Sequence, residues 1–276
     1  MAYADYEHFD VELDEAGVAY VTMNYPPLNL LDEVLSPELD AIAGELESDD
    51  AVRVVILQSA LPEFFSAHSG LGRVGMAPMV VGHTRSFRMT QTMTERFRNM
   101  PKVTIAKVEG RARGGGSELA LGMDMCFADR DTAIFGQPEA AIGLVPGGGS
   151  TQRLPRLVGR GRALEILLGC GDIPADLAEL YGYINRALPS AELTPFVDRL
   201  AHRIATFPTH TIAHVKTAVD VGASSSLSEG LLVEAHESDL SVASIVTRER
   251  IAAAMEAGAE TVEGELDLAF LDKLGR

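Results

Sequence analysis

Two nearly continuous apolar runs, residues 52–57 and 103–108, constrain the fold of this 276-residue chain more than any other feature. Apolar runs of this length are typical of strands that are buried on both faces of a parallel sheet. Residues 84–99, between the two runs, have the pattern of a helix. Because buried strands alternate with helices, the sequence predicts an α/β domain with parallel strand pairing.

The first forty residues predict a hairpin followed by a helix. Residues 11–13 and 18–23 are strand-like, and the turn-forming residues 14–17 separate them. Ser36 and Pro37 have the residue types favoured at the N-cap and at the first position of a helix. We therefore expect a hairpin that leads into a helix beginning at Ser36.

The character of the sequence changes after Asp198, where long, Ala-rich helical segments with few strand signals replace the alternating pattern. A chain of this length is long for one domain and short for two. We predict an α/β core that carries the active site over residues 1–203. Residues 204–276 then form a helical C-terminal region.

The formal net charge of −17 argues against nucleic acid or an anionic membrane surface as a partner. Both partners require a surplus of Lys and Arg. No apolar run reaches the roughly 18–20 residues of a membrane span, and the first seven residues lack the features of a signal peptide. Cys126 and Cys170, far apart in the sequence, are expected to be reduced thiols. Together these features predict a cytoplasmic protein.

Metal binding has little support in the sequence. The seven histidines are scattered, and neither an H-E-x-x-H motif nor paired Cys/His spacing is present. We therefore predict no metal site.

A glycine-rich segment over residues 110–121 follows the second buried strand. Three successive glycines, residues 114–116, let the backbone approach a ligand closely and present free amide N–H groups. The helix that follows adds its positive N-terminal end, which suits an anion or a developing oxyanion. The segment is neither a P-loop nor a G-x-G-x-x-G fingerprint. On these residues alone, a tight strand-to-helix connection is an equally good interpretation.

Two acidic residues, Glu118 and Glu139, accompany this segment and a second one rich in glycine and proline, residues 135–154. An isolated glutamate is usually a solvated surface carboxylate. Here each lies beside flexible or apolar sequence, which favours a functional pair without excluding the surface alternative.

Three pieces of sequence carry a resemblance to a known family: residues 114–120 (GGGSELA), 135–139 (FGQPE) and 153–159 (RLPRLVG). On these the chain resembles the crotonase (enoyl-CoA hydratase/isomerase) superfamily over about residues 18–257. The resemblance implies a spiral of repeated ββα units with a helical C-terminal trimerisation region. It also implies assembly as a homotrimer or a dimer of trimers.

The same resemblance assigns roles to residues. Glu118 and Glu139 match the two acids of the family's hydratases. Gly115 matches one amide of an oxyanion hole, and Ser69 matches the position of the other. The implied substrate is an acyl-CoA, and no separate cofactor is implied because coenzyme A is part of the substrate.

The loop around Ser69 departs from the family pattern, since His68 replaces the usual glycine and Gly70 the usual aspartate. His68 is either a residue of the cavity wall or a group that reaches the acyl cavity, where it contacts a polar group of the substrate or acts as an additional acid or base. Because a non-glycine residue adopts positive φ only at a cost, we expect the loop to be rearranged. Ala67 and Gly116 are further candidates for substrate contact, and Arg73 is a candidate for the CoA phosphates or a solvated charge.

The sequence therefore predicts an enoyl-CoA hydratase that adds water across the 2,3 double bond of a trans-2-enoyl-CoA. An enoyl-CoA isomerase, or another enolate reaction such as decarboxylation or thioester hydrolysis, is the alternative within the family. A non-catalytic binding or assembly protein is the alternative of another class, and only the altered loop favours it.

Overall fold

The computed structural model describes residues 3, 6–72 and 87–274, and the chain forms two compact units, Met1–His202 and Arg203–Arg276. All strands of the described residues belong to the first unit. The strands are β1 (Phe9–Leu13), β2 (Val18–Met23), β3 (Val54–Ser59), β4 (Phe64–Ser66), β5 (Val103–Val108), β6 (Arg111–Arg113), β7 (Met125–Asp129), β8 (Ile134–Gly136), β9 (Ile173–Pro174) and β10 (Arg186–Leu188). The first six helices are α1 (Leu35–Ser48), α2 (Met89–Asn99), α3 (Gly115–Gly122), α4 (Ser150–Gly169), α5 (Ala175–Tyr181) and α6 (Ser190–Ala205).

The strands form two sheets. The larger has the order β1-β2-β3-β5-β7-β10, in which only the β1–β2 pair is antiparallel. The smaller has the order β4-β6-β8-β9, in which only the β8–β9 pair is antiparallel. Every residue of β5 is buried, as its continuous apolar run predicted.

Three successive ββα units build the centre of the larger unit: β3-β4-α2, β5-β6-α3 and β7-β8-α4. In each, the first strand joins the larger sheet and the second joins the smaller one. The prediction of an α/β fold made of repeated ββα units is thereby confirmed. Because β4, β6 and β8 are parallel neighbours, the loops that follow them lie at one edge of the smaller sheet.

The N-terminal hairpin is confirmed, with Phe9 opposite Met23 in the register of β1 and β2. The predicted start of the first helix is wrong. Helix α1 begins at Leu35, and the side chain of Asp32 accepts hydrogen bonds from the Val34 and Leu35 N–H groups. Asp32 thus satisfies amides that the helix leaves free, and Ser36 is a buried residue inside the first turn.

The predicted helix over residues 84–99 corresponds to α2, which begins at Met89; residues 84–86 lie outside the described residues. Both cysteines are free thiols. Cys126 in β7 is buried, and burial raises the pKa of its thiol to about 12. Cys170 is half-buried at the end of α4.

The smaller unit is helical over its described residues. Its helices are α7 (Thr209–Gly222), α8 (Leu227–Ala243), α9 (Ile245–Ala257), α10 (Val262–Asp267) and a 3-10 helix (Ala269–Lys273). Ser226 and Glu229 form a capping box at the start of α8, and an ion pair of 2.6 Å between His214 and Glu237 joins α7 to α8. None of the helices described is long and apolar enough to cross a bilayer.

Candidate active site

Three predicted site residues lie just after neighbouring strands of the smaller sheet. Ser69 follows the end of β4, Gly115 follows the end of β6, and Glu139 follows the end of β8. The parallel pairing of these strands brings the three loops together. A Cβ atom on Gly115 would lie 3.1 Å from the Ser69 nitrogen and 2.0 Å from its Oγ. Only glycine fits there, and the two candidate oxyanion amides are close neighbours.

The Ser69 amide is oriented through the other side of its own peptide. The carbonyl of His68 accepts a hydrogen bond of 3.1 Å from the Leu31 N–H. In a planar trans peptide the C=O and the N–H point in opposite directions. The Ser69 N–H therefore points away from Leu31, and it donates no hydrogen bond within the described part of the chain.

The Gly115 amide is held in the same way. The carbonyl of Gly114 accepts a hydrogen bond of 2.9 Å from the Glu118 N–H, the first such bond of α3. The Gly115 N–H, on the opposite side of that peptide, is one of the free amides at the helix start. Among the described residues it has no acceptor. Both amides are thus fixed and available to an oxyanion.

Glu118 lies in the first turn of α3 and is buried, with only 4% of its surface exposed. Its Oε1 accepts hydrogen bonds of 3.1 Å from both the backbone N–H and the Oγ of Ser150. Ser150 is the first residue of α4, so the positive end of that helix also faces the carboxylate. On the other side, a Cβ on Gly148 would lie 2.5 Å from Oε2. The carboxyl group is therefore fixed from both sides, by the Ser150 donors and by the close approach of Gly148.

Glu139 begins a short 3-10 helix, Glu139–Ile142, and has a different environment. Its Oε2 is buried and has no hydrogen-bond partner among the described residues. Burial and, to a smaller extent, the charge of Glu118 together raise the pKa of Glu139 to about 7, although a hydrogen bond from the residue's own backbone acts to lower it. A Cβ on Gly114, whose φ is +47°, would lie 2.5 Å from Oε1. Glu139 thus occupies a partly buried position in which its neutral form persists to a higher pH than that of an ordinary carboxyl group.

A cavity of about 360 Å³ contains both carboxyl groups. Its polar lining includes His68, Ser69, Arg88, Glu118 and Glu139. Its apolar lining includes Leu71, Pro138, Ile142, Leu144 and Val145. Such a cavity can bury an apolar chain against one wall while charged groups act on the other.

The ring of His68 bonds within its own loop. Its Nδ1 lies 2.8 Å from the Ser69 carbonyl oxygen, and since a carbonyl only accepts, Nδ1 is the donor. His68 is not among the described residues with positive φ. The loop therefore accommodates a histidine in place of the usual glycine without the strain that a positive φ would impose.

The loop before α4 is fastened to α2. Arg153 donates a hydrogen bond of 3.1 Å to the Gly148 carbonyl, and its other terminal nitrogen lies 2.5 Å from the Glu95 carboxylate. Because Gly148 touches Glu118, this largely buried ion pair supports the position of the carboxylate.

A second buried network lies behind the two acids. The Ser117 and Tyr183 hydroxyl oxygens are 2.5 Å apart, and the Tyr183 ring centroid lies 5.5 Å from that of Phe135. The buried Gln137 side chain acts to lower the pKa of Tyr183, against the effect of burial. Its amide atoms have no hydrogen-bond partner among the described residues. Tyr183 therefore connects the segment before Glu118 with the segment before Glu139.

Residues 14–258 match the family model described as "Enoyl-CoA hydratase/isomerase". The chain belongs to the enoyl-CoA hydratase/isomerase family. It is 34% identical over 222 residues to a short-chain-enoyl-CoA hydratase of Clostridium acetobutylicum, covering 80% of this chain and 84% of that protein. It is 32% identical over 253 residues to a crotonyl-CoA hydratase of Syntrophomonas wolfei, covering 91% and 96%.

The fold is also that of solved members of the family. A crystal structure of an enoyl-CoA hydratase from Bacillus anthracis superimposes with a TM-score of 0.81 at 30% identity, covering 91% of this chain and 95% of that one. The ββα units described above are thus an enoyl-CoA hydratase/isomerase fold.

Not all of the family residues predicted from the sequence line the cavity. Glu118, Glu139, Ser69 and His68 do, and Gly115 contacts Ser69. Three further predicted residues, Ala67, Gly116 and Arg73, differ from these.

Ala67 is buried and donates its N–H to the Leu28 carbonyl, so its amide is already used. Gly116 packs where a Cβ would lie 2.3 Å from the Ser66 carbonyl oxygen. Neither is among the described residues that line the cavity, and their contact with substrate stays a prediction. Arg73 lies outside the described residues.

Sequence reasoning did not single out Ser150, Gly148, Glu95 or Arg88. Gly148 belongs to the run of glycines before α4, and Ser150 follows that run. The only signal in the sequence was that Ser150 has a residue type suited to a helix start. Their contacts with Glu118 cross about thirty positions of sequence, a distance at which local patterns carry no information.

Proposed function

We propose that this protein is an enoyl-CoA hydratase, which adds water across the 2,3 double bond of a trans-2-enoyl-CoA. The observation that supports the proposal best is the contrast between two carboxyl groups in one cavity. Glu118 accepts two hydrogen bonds from Ser150, whereas Glu139 has a buried oxygen without a hydrogen-bond partner among the described residues and a pKa raised to about 7. Hydration requires one group that accepts a proton and one that donates it.

The oxyanion hole consists of the N–H groups of Ser69 and Gly115. As water oxygen bonds to Cβ, negative charge develops on the thioester oxygen. Two fixed amides stabilise that charge without reorganising, and the loss of one such donor typically costs about 3–4 kcal/mol in the transition state.

Glu118 is the base in this mechanism. Its carboxylate accepts a proton from the water that attacks Cβ, and the Ser150 donors keep it oriented for that transfer. Glu139 is the acid and delivers its proton to Cα. A carboxyl group with a pKa near 7 keeps its proton below neutral pH and loses it above.

The reaction requires no cofactor, since the CoA moiety belongs to the substrate and the two glutamates supply both proton transfers. The partner is therefore an acyl-CoA. We place the reaction in the cytoplasm, which two free cysteines favour.

We further propose that residues 1–203 form the catalytic core and that residues 204–276 assemble the protein as a homotrimer or a dimer of trimers. Exposed apolar side chains on α8 and α9 support this, because such patches mark interaction surfaces. They include Leu227, Leu231, Leu232, Ile245 and Ile251. Light scattering coupled to gel filtration tests it: three or six times the 29.5 kDa chain mass is expected, and a monomer contradicts it.

The absorbance of the enoyl-thioester band tests the reaction. Crotonyl-CoA, longer trans-2-enoyl-CoAs and an aromatic enoyl-CoA are each added to the wild-type protein and to Glu139→Gln. Loss of the band with the wild type alone is expected, and the most rapidly consumed substrate identifies the acyl preference. Migration of the double bond without water addition would identify an isomerase instead. No reaction with any substrate would contradict the proposal.

A further inference from the structure

We infer that Arg88 forms a subsite for a carboxylate carried by the acyl group, so that the protein takes enoyl-CoA thioesters whose acyl chain has an acidic group. The inference rests on the proposed function, since it concerns the acyl-CoA that occupies the same cavity. It adds a substrate class that the overall reaction does not specify.

The position of Arg88 places a guanidinium in the reaction cavity. Arg88 directly precedes α2 and lines the cavity together with Glu118 and Glu139. Its Nη1 lies 3.9 Å from the position of a Cβ on Gly147, and the next residue, Gly148, touches Glu118. The cation therefore lies in the same cavity as the two carboxyl groups.

Arg88 shares the cavity with Glu118 and Glu139 but forms an ion pair with neither. No carboxylate of the described residues lies within ion-pair distance of Arg88. The adjoining residues 73–86 contain neither Asp nor Glu. The whole stretch of residues 64–94 is free of acids and includes three arginines, although the chain has 40 acidic residues. A cation without a protein partner is available to an anionic ligand.

The chemistry of the cavity identifies the anion as part of the acyl group. Methylenes of an acyl chain fit the apolar wall formed by Ile142, Leu144 and Val145. The planar guanidinium matches a carboxylate with two parallel hydrogen bonds. The phosphates of CoA, in contrast, are separated from the thioester by the long pantetheine arm, whereas Arg88 lines the same cavity as the two acids proposed to act at Cα and Cβ.

Binding of two saturated thioesters of equal chain length tests the inference. Glutaryl-CoA and valeryl-CoA differ only in a terminal carboxylate instead of a methyl group, and neither can be hydrated. Isothermal titration calorimetry is performed with the wild type, Arg88→Met and Arg88→Lys. We expect Arg88→Met to lower the affinity for glutaryl-CoA about ten- to hundredfold, which is the effect of losing one hydrogen-bonded contact between charged groups. The affinity for valeryl-CoA should fall less than about threefold. Arg88→Lys should retain part of the preference.

Arg156→Met is the matched control, because Arg156 bonds to the Gln152 carbonyl of its own helix and does not line the cavity. It should change neither affinity. Equal weakening of both thioesters by Arg88→Met would overturn the inference and assign Arg88 to the shared CoA moiety. Unchanged affinity for both would overturn it as well. Hydration of crotonyl-CoA is measured separately, so a failure of the proposed reaction is distinguished from a failure of the subsite.

Discussion

The two glutamates of the cavity are chemically identical, but their surroundings are not. Glu118 meets two donors from Ser150 and the N-terminal end of α4. Glu139 has a buried oxygen without a partner and a pKa raised to about 7. Placement in the fold, and not residue type, thus gives the two carboxyl groups the different properties that the proposed proton acceptor and proton donor require.

The glycines that contact the two acids also differ in their local structure. Gly148, beside Glu118, belongs to a loop that the Arg153–Glu95 pair fastens. Gly114, beside Glu139, requires a positive φ of +47°. Hydrogen bonds thus hold the Glu118 carboxyl, whereas the Glu139 carboxyl is positioned mainly by close packing against Gly114.

Removal of either carboxyl should have the largest effect. We expect Glu118→Gln and Glu139→Gln each to lower kcat about 10²–10⁴-fold with crotonyl-CoA, since each removes one proton transfer. Affinity for butyryl-CoA, which cannot be hydrated, should stay within about threefold. Because the two acids act as a unit, the double variant should fall little further. Wild-type turnover in either single variant would contradict the two-acid mechanism.

A methyl group placed against each carboxyl should have the next largest effect. In Gly148→Ala and Gly114→Ala the new Cβ would lie 2.5 Å from a carboxylate oxygen of Glu118 and Glu139, respectively. Displacement of a reacting group by about 1 Å can cost on the order of a hundredfold in rate. We expect a loss of that size in kcat for both variants.

Gly161→Ala is the control for these alanine variants, because nothing lies within 4 Å of its Cβ position and its φ is not positive. It should keep wild-type kcat. If Gly148→Ala and Gly114→Ala fold normally and also keep it, the close fit around the carboxyls does not matter for the reaction.

Loss of one donor to Glu118 should have a smaller effect. Ser150→Ala removes the hydroxyl but keeps the backbone N–H, so kcat should fall about tenfold, the value of one hydrogen bond to a charged group. The alkaline limb of the pH profile should not move, because Ser150 bonds to Glu118 and not to Glu139. Ser48→Ala, at an exposed serine whose Oγ bonds to carbonyls of its own helix, is the control. An equal loss in both variants would show a non-specific effect.

The smallest effect should be a shift of the pKa of Glu139. The negative charge of Glu118 contributes to the raised value, so Glu118→Gln should lower the pKa of Glu139 below about 7. Burial, the larger cause, remains and should keep it above the ordinary value of 4.5. Carbon-13 NMR of labelled glutamate, assigned with Glu139→Gln, measures the change. An upward shift would mean that the two carboxyls do not interact as described.

The sequence predicted the parts of the molecule that local pattern encodes. The apolar run over residues 103–108 predicted β5, and the motifs around Glu118 and Glu139 indicated the family. The start of α1 was wrong because Asp32 reaches forward to two amides, while Ser36, a good cap by type, packs into the core. Local preference for a cap cannot reveal which side chain the core requires.

The sequence could not reveal the difference between the two acids. That difference depends on Ser150 meeting Glu118 across 32 positions and on the burial of Glu139, both of which arise only when α3, α4 and the 3-10 helix pack together. The motifs alone indicate two acids whose order is not assigned, and only these contacts support the proposed division of roles. Arg88 was missed for the same reason, since nothing local relates it to Gly147.

The pH dependence of crotonyl-CoA hydration tests the division of roles most directly. kcat/KM is measured from pH 5 to pH 9, with 3-hydroxybutyryl-CoA confirmed as the product by mass spectrometry. Because Glu139 must hold its proton at the start of the reaction, the rate should be retained below its pKa and fall as the pH rises through about 7. A rate that stays constant to pH 9, or that falls only on the acidic side, would contradict the assignment of Glu139 as the acid.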